Sequence, residues 1–239
     1  MRNSVLGIDF DCITMQQAVS AAAEKIRSGQ GGMICTPNPE IVWAATHNKE
    51  LADCINQADL VLPDGVGIVW AGKKSSSPFP ERVAGCDFLF ELLSAAPCRV
   101  YILGGKPGVA KLAADTLSRD YSGVKVVGCA DGYFSDENAI VSDIRSVSPQ
   151  LLMVCLGSPK QELFMHHHKD DISNCLMIGL GGTVDILAGT EKRAPRFFQY
   201  LKLEWFYRLI KHPGRLKRQL ALPCFVMAVL AQNRNHIKS

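Results

Sequence analysis

The chain has 239 residues and a net charge of +3, with 47% hydrophobic and 21% charged residues, the composition of a globular protein with one sizeable core. Its nine cysteines form no Cys-x-x-Cys pair, which predicts reduced thiols in the cytoplasm rather than a disulfide framework or a structural zinc site. A basic-then-apolar N-terminus and an apolar run of roughly 18 to 20 residues are both absent, so neither a signal peptide nor a membrane span is predicted.

Six apolar runs of strand length each end in a small polar loop marked by Gly or Pro. In chain order the runs are Met33–Cys35, Leu60–Leu62, Val100–Leu103, Val124–Gly128, Leu151–Leu156 and Leu176–Leu180. Continuous apolar strands are buried on both faces, as in a parallel sheet covered by helices. Helical patterns occupy residues 15–28, 40–48, 87–94, 108–119, 137–147 and 160–168, with Asp136 and Ser158 as expected N-caps. This alternation predicts an α/β core over residues 1–191, with a Rossmann-like, mostly parallel, doubly wound sheet.

The N-terminal and C-terminal segments differ from this core pattern. Val5–Asp11 has the pattern of an extended edge element. From residue 192 to 239 Lys and Arg far outnumber acids, Glu204 being the only one, whereas residues 1–191 are acidic overall. Basic and aromatic residues followed by the apolar run Leu220–Ala231 are typical of a helix lying at a lipid interface. We therefore expect residues 192–239 to form a helical appendage that associates with an anionic membrane surface.

The loops after the first two strands carry the candidates for acid–base chemistry. Carboxyl ends of parallel strands meet at one edge of a sheet, where ligands bind in folds of this class. Asp64 lies between Pro63 and Gly65 at this edge and is a candidate general base, although a turn aspartate fits the same pattern. Thr36 and Asn38 can orient a hydroxyl or a sugar, or can serve as turn residues.

Three glycine-marked turns lead from a strand into a helix and predict anion binding by free backbone N–H groups. They are Gly104-Gly105-Lys106, Gly157-Ser158-Pro159-Lys160-Gln161 and Gly181-Gly182-Thr183-Val184-Asp185. None is a Walker A motif or a Gly-x-Gly-x-x-Gly fingerprint, so each signal is weak alone and stronger because all three share one edge. Tyr133, which follows Asp131-Gly132, can stack on a base or simply pack.

Motifs along nearly the whole chain occur in the order and spacing of one known family. They are Thr36–Glu40, Pro63–Gly67, Glu81–Gly85, Gly104-Gly105, Asp131–Phe134, Gly157–Glu162, Gly181–Asp185, Ala194-Pro195, Glu204–Arg208 and Pro213–Arg218. Together they resemble the WecG/TagA/CpsF glycosyltransferases, and within them the TagA-type members. The resemblance implies transfer of N-acetylmannosamine from UDP-N-acetylmannosamine to undecaprenyl-diphosphate-linked N-acetylglucosamine, which starts the linkage unit of wall teichoic acid. Relatives with these motifs use other UDP-sugars, such as N-acetylmannosaminuronic acid or a hexose, which leaves the donor open.

The resemblance also implies roles for single residues in a metal-independent, inverting reaction without a cofactor. Asp64 is implied as the base, with Thr36, Asn38, Arg82 and Gln161 beside it. A carboxylate in this role agrees with the chemistry, because a sugar hydroxyl is a poor nucleophile until its proton is removed. The expected products are an inverted glycosidic bond and UDP.

The nucleotide and its diphosphate are assigned to other groups. Tyr133 and Asp185 are implied to hold the uracil and the ribose, and the glycine turns are expected to approach the UDP-sugar. These glycines are Gly104, Gly105, Gly157, Gly181 and Gly182. Arg208, Arg215 and Arg218 are implied to complete the site at the membrane, since without a metal the departing diphosphate needs arginines and helix N-termini.

Two clusters imitate metal sites without predicting one. Asp9-Phe10-Asp11 has the Asp-x-Asp signature of many sugar-nucleotide transferases but precedes the first core strand, and we interpret it as a solvated hairpin. His166-His167-His168 occupies adjacent helical positions, which do not converge on one ion, and we interpret it as a solvated helix end.

Two other classes of function remain as alternatives. A nicotinamide-dependent dehydrogenase would use the same sheet, but the glycine fingerprint and the acidic ribose-binding residue roughly 20 positions on are missing. A nucleic-acid binder would use the basic tail and its aromatics, yet the aliphatic run Phe225–Ala231 favours lipid. We therefore expect a peripheral protein on the inner face of the cell membrane with no nucleic-acid partner. Self-association in solution is a further possibility, because it would cover the apolar tail.

Overall fold

The computed structural model describes residues 1–73, 77–195, 197–198, 206–207, 211 and 220–236. Across these residues the central element is a six-stranded sheet in which every pair of neighbours is parallel. Its strands are β3 (Gly32–Cys35), β4 (Leu60–Val61), β5 (Cys98–Gly104), β6 (Val124–Ala130), β7 (Leu151–Cys155) and β8 (Leu176–Gly179). They lie in the order β4-β3-β8-β7-β5-β6. The six apolar runs are these six strands, so the predicted parallel sheet is confirmed.

The N-terminal segment is a separate antiparallel hairpin of β1 (Arg2–Val5) and β2 (Ile8–Asp11) rather than an edge strand of the sheet. Asp11 connects it to the core, because one carboxylate oxygen pairs with Arg2 Nε at 3.2 Å and the other accepts the N–H of Val61 at 2.9 Å. The interpretation of Asp9-Phe10-Asp11 as a hairpin is confirmed. Asp11 is only partly exposed, and its interactions are structural.

Helices connect the strands and cover the sheet on both faces. They are α1 (Met15–Ser28), α2 (Pro39–Ala45), α3 (Lys49–Asn56), α4 (Val66–Gly72), α5 (Gly85–Ala95), α6 (Val109–Asp120), α7 (Glu137–Val147), α8 (Lys160–His167), α9 (Thr183–Leu187) and α10 (Ala221–His236). The expected cap Asp136 accepts the N–H of Ala139 at 3.0 Å. The expected cap Ser158 is wrong, because Pro159 takes the N-cap position of α8 and the hydroxyl of Ser158 is buried without a hydrogen-bond partner.

The histidines at the end of α8 also differ from expectation. The His168 side chain is only 13% exposed and lies against two carboxylates, at 2.9 Å from Glu137 and 3.1 Å from Asp171. Its ring packs on Phe164 with 5.0 Å between the ring centroids. The solvated helix end is therefore wrong for His168, because α7 and the turn after α8 enclose it.

The hydrophobic core lies on the two faces of the sheet, and successive strand residues alternate between them. In β5, Val100 and Ile102 belong to the core cluster that includes residues of α1, α5, α6 and α9, whereas Tyr101 and Leu103 belong to the cluster on the other face, with residues of the hairpin, α2, α3, α4, α7, α8 and α10. All four side chains are fully buried. Burial on both faces explains why these strands are continuously apolar.

Helix α10 belongs to the second of these clusters. It packs against α2 and α4 and buries Phe225 and Val229, while Met227 remains 64% exposed. Gln232 Oε1 accepts the N–H of Leu6 at 3.3 Å, which joins α10 to the N-terminal hairpin. Within the described ranges, no helix has both the length and the apolar character needed to span a bilayer.

The tail arginines Arg208, Arg215 and Arg218 lie outside the described residues.

Candidate active site

The carboxyl ends of the parallel strands form one edge, and Asp64 lies there in the loop that follows β4. Its Oδ2 accepts the backbone N–H of Gly85, the first residue of α5, at 3.3 Å. The loop before α5 is attached to the same turn, since the N–H of Val83 donates to the carbonyl of Pro63 at 3.1 Å. A carboxylate at a helix N-terminus is favoured by the helix dipole. The predicted base is thus a half-buried carboxylate held in place by the start of α5.

Thr36 lies between β8 and the start of α5. Its hydroxyl donates to the carbonyl of Gly179 at 3.0 Å. On the other side, a Cβ atom built on Gly85 would come within 2.8 Å of Thr36 Oγ1. Gly85 therefore contacts both predicted site residues, its N–H bonding Asp64 and its Cα surface facing Thr36.

We expect Gly85→Ala to lower the free energy of unfolding by about 1–3 kcal/mol, the usual cost of overpacking a filled site. The new methyl group would also lie 3.1 Å from Thr36 Cβ and Cγ2, so Thr36 must shift away from Gly179. Urea unfolding measures the effect. In a Thr36→Ala background the additional cost should shrink, because the hydroxyl and the Cγ2 methyl are gone. An undiminished cost in that background would contradict the steric explanation.

Gln161 is the buried carboxamide of the site, with only 4% of its surface exposed. Its Oε1 accepts the N–H of Gly181 at 2.9 Å, and its Nε2 donates to Glu162 Oε1 at 2.9 Å. A Cβ on Gly179 would lie 3.0 Å from Gln161 Nε2. Gly179 thus contacts Gln161 on one side, and its carbonyl binds Thr36 on the other. The side chains of Asp64, Thr36 and Gln161 therefore follow one another along the ends of β4, β3, β8 and β7.

Glu162 is a buried carboxyl group that the sequence analysis did not select. It is 2% exposed, and burial raises its pKa, opposed by the hydrogen bond from Gln161 and by the neighbouring Ser158 hydroxyl. Burial also raises the pKa of the Cys35 thiol, and the negative charge of Glu162 adds to that rise. Its position in the Gly157–Glu162 motif was visible in the sequence, whereas its burial depends on packing between α8 and β3.

The raised pKa of Glu162 makes stability depend on pH. The folded protein holds this proton more tightly than the unfolded chain does, so stability is fully present below the unfolded pKa of about 4.3 and is lost as pH rises through the folded pKa. Glu162→Gln removes this titration. We therefore expect the variant to unfold at a higher temperature than the wild type near pH 7.5 and at a similar temperature near pH 4.

Thermal unfolding at both pH values tests this expectation. Glu24→Gln on the exposed surface of α1 is the matched control and should show no such pH-dependent gain. An equal shift at both pH values for Glu162→Gln would contradict the assignment.

Arg82 and Arg193 converge on Asp87 in the first turn of α5. The Arg82 guanidinium lies 3.8 Å from Asp87 Oδ2, and Arg193 Nη2 bonds Asp87 Oδ1. Arg193 lies at the start of the basic segment, which begins at residue 192. Its ion pair with Asp87 therefore attaches that segment beside the Asp64 turn. Sequence reasoning did not identify Asp87, although an acid in the first turn of a helix after the Glu81–Gly85 motif is a usable signal.

Asn38 has a structural bond that restricts its predicted role. Its Oδ1 accepts the N–H of Ile41 at 3.1 Å and so caps α2. The side-chain amide nitrogen is then the group that remains to contact a sugar.

Tyr133 follows β6, the outermost strand on the side of the sheet away from β4 and Asp64. Its loop nevertheless folds back toward α8. Gly132 donates its N–H to the carbonyl of Gly105 at 2.9 Å and accepts a hydrogen bond from Lys160 Nζ at 3.3 Å. Lys160 also lies 4.2 Å from the centroid of the Phe134 ring. Tyr133 is 70% exposed and borders an open groove of about 380 Å³ between α6 and this loop. Its lining includes the aromatic residues Tyr133 and Phe134 together with Lys111 and Asp131.

The glycine turns bring backbone close to backbone at the strand ends. Gly104 has φ +131°, and a Cβ there would come within 2.2 Å of the carbonyl oxygen of Cys155, which excludes any side chain. Gly105 packs against Val184 of α9, and the turns at Gly157 and Gly181 likewise have positive φ.

Asp185, in the first turn of α9, is partly exposed, and its carboxylate lies 3.5 Å from Thr190 Oγ1. Gly182 is the N-cap residue of α9, and a Cβ on it would lie 3.8 Å from Asp185 Oδ2.

An open parallel sheet with its polar groups gathered at the strand ends is the framework of nucleotide-binding α/β enzymes. The chain belongs to the WecG/TagA/CpsF family of glycosyl transferases, whose family model matches residues 3–239.

Curated relatives are similar over most of their length. A protein of Bacillus subtilis (strain 168) is 36% identical over 208 residues, covering 86% of this chain and 81% of its own. A protein of Bacillus spizizenii is 36% identical over 212 residues, covering 87% and 82%. One of Staphylococcus aureus (strain MW2) is 31% identical over 236 residues, covering 96% and 92%. All three are named N-acetylglucosaminyldiphosphoundecaprenol N-acetyl-beta-D-mannosaminyltransferase.

Proposed function

We propose that this protein transfers N-acetylmannosamine from UDP-N-acetylmannosamine to undecaprenyl-diphosphate-linked N-acetylglucosamine. The observation that carries the proposal is the half-buried carboxylate of Asp64, held at the ligand edge by the N–H of Gly85. Membership of a glycosyl transferase family and the printed names of the relatives support the choice of sugars.

Asp64 acts as the general base in this proposal. As the acceptor hydroxyl attacks the anomeric carbon of the donor, its proton passes to the Asp64 carboxylate. The new bond joins the acceptor oxygen to that carbon while the bond to the diphosphate oxygen breaks, and UDP leaves with the electron pair. A single displacement inverts the anomeric configuration. The Thr36 hydroxyl, the Asn38 amide nitrogen and the Gln161 carboxamide orient the two sugars.

The leaving UDP needs positive charge and N–H donors. Helices α6 and α8 each begin after a glycine turn at the strand ends, and the positive end of a helix dipole favours an anion there. We assign the remaining cations to Arg82 and to the tail arginines Arg208, Arg215 and Arg218. The proposal includes neither a metal ion nor a cofactor.

The nucleoside is assigned to the groove beside Tyr133, with the uracil on the exposed tyrosine ring and the ribose near Asp185. The hydrogen bonds of the Tyr133 loop to Gly105 and Lys160 support this placement, because they attach the loop to the start of α8, where Gln161 also lies. The diphosphate would then cross the turns at Gly104, Gly157 and Gly181.

With a lipid-linked acceptor, we assign the reaction to the membrane surface, on its inner face. The outward side of α10 offers Val226, Met227 and Leu230, which are exposed, and the chain before it is strongly basic. This combination supports peripheral binding to an anionic bilayer.

A panel of UDP-sugars with a short-chain, lipid-linked N-acetylglucosamine acceptor tests the proposal. We expect acceptor-dependent UDP release with UDP-N-acetylmannosamine. Release with UDP-N-acetylmannosaminuronic acid or a UDP-hexose alone would keep the chemistry and change the donor. Tight NADH binding without UDP binding would contradict the proposal and favour a dehydrogenase.

A further inference from the structure

Glu162 is a buried carboxyl group that the proposed reaction does not use. It is 2% exposed, and its Oε2 atom has no hydrogen-bond partner among the described residues. An ionisable group buried in this way costs stability unless it makes compensating contacts. Its hydrogen bond is with its neighbour, since Glu162 Oε1 accepts from Gln161 Nε2 at 2.9 Å, and the nearby Ser158 hydroxyl also favours the charged carboxylate.

Only one orientation of the Gln161 carboxamide satisfies both of its contacts. Glu162 Oε1 has a free lone pair in either protonation state and can therefore receive an N–H at that end of the amide. The N–H of Gly181 can only donate, so it requires the amide oxygen at the other end, where the distance is 2.9 Å. Removing the acceptor at Glu162 would leave the N–H of Gly181 as the one hydrogen bond of the amide, so its Nε2 end would no longer be held.

This orientation also determines what Gln161 offers a ligand. Among the described residues Gln161 Nε2 has one acceptor, Glu162 Oε1, so its second proton is not used by them. Nε2 itself lies against Gly179, whose carbonyl binds the Thr36 hydroxyl. The second N–H of Gln161 is therefore the group that remains to donate a hydrogen bond to an oxygen of either sugar substrate.

We propose that Glu162 is a positioning residue that fixes the carboxamide of Gln161 and so directs its second N–H to the reacting sugars. The catalytic part of this inference rests on the proposed function, whereas the orientation of Gln161 does not. Glu162 touches no ligand itself and acts through Gln161.

Kinetics of four variants test the catalytic part. Glu162→Met removes the acceptor while filling the same space, and we expect kcat/KM for transfer to fall about 10- to 100-fold, as for a small misplacement of a contact group. Glu162→Asp keeps the carboxyl but shortens its reach, and should behave like Glu162→Met. Glu162→Gln keeps an acceptor oxygen and should remain within about threefold of the wild type. Adding Glu162→Met to Gln161→Met should cause no further loss.

A second measurement does not depend on turnover. Hydrogen exchange of the Gly181 amide, followed by NMR, should be slow in the wild type and in Glu162→Gln and at least about tenfold faster in Glu162→Met. Ile144→Ala, in the same half of the core, is the control for general destabilisation. It should lower the melting temperature without selectively exposing the Gly181 amide.

The outcomes separate the two proposals. Normal kcat/KM and normal Gly181 exchange in Glu162→Met would overturn the positioning role while leaving the transferase activity in place. If the wild type transfers no UDP-sugar, the proposed function fails, and Gly181 exchange alone then decides whether Glu162 orients Gln161. An equal loss in Glu162→Gln and Glu162→Met, or a further loss in the Gln161→Met background, would also overturn the positioning role.

Discussion

Asp64→Asn is expected to lower kcat for sugar transfer by about 10²- to 10⁴-fold, the contribution of a positioned general base. The amide that replaces the carboxylate cannot take a proton from the acceptor hydroxyl. Its oxygen can still accept the N–H of Gly85, so the start of α5 should keep its place. The measurement is the rate of UDP release at saturating donor and acceptor.

The control for this experiment is nucleotide binding. The nucleoside is assigned to the groove beside Tyr133, away from Asp64, so the Kd of UDP should change little in Asp64→Asn, and the melting temperature should stay close to that of the wild type. Near-normal turnover by Asp64→Asn would show that another group takes the proton.

Replacing Arg208, Arg215 and Arg218 together with Ala is expected to lower transfer at least about 10³-fold, because removing even one charge-stabilising donor from a reacting centre costs about 10²–10³. The resemblance to the family assigns these three residues to the departing diphosphate. The expected signature is a lower kcat with a folded protein, measured with the same acceptor and donor.

Substitution is a sharper test here than deletion. A chain ending after Pro195 should also be nearly inactive, but it would lose α10, which buries Phe225 and Val229 in the core. Inactivity of that truncated chain would then not distinguish a loss of stability from a loss of the tail arginines.

The matched control replaces three other basic residues of the same segment with Ala and so removes the same charge. These residues are Lys202, Lys217 and Arg234. It should weaken binding to anionic liposomes to a similar extent while retaining transfer to a water-soluble acceptor. If both triple variants lose liposome binding equally and both retain transfer to the water-soluble acceptor, the arginines contribute to membrane attraction alone.

Local sequence was sufficient to identify the strands and the longer helices. Continuous apolar runs predicted β3 to β8, and the periodicity of residues 15–28 and 137–147 predicted the bounds of α1 and α7. Helices α3 and α4 were missed: each is short, with eight and seven residues, and neither was recognised as a separate helix in the polar or glycine-marked sequence around it. The cap at Ser158 was misplaced by one residue, because Pro159 also fits a helix N-terminus.

The sequence by itself also determined that the polar loops share one edge, since that follows from any parallel sheet. It could not determine which loops are neighbours. The order β4-β3-β8-β7-β5-β6 brings Thr36 to Gly179, 143 residues away, and α5 brings Asp87 to Arg193, 106 residues away. Only tertiary structure decided these contacts and the burial of Glu162, because they depend on strand order and on packing between faces, which leave no periodic signal in the chain.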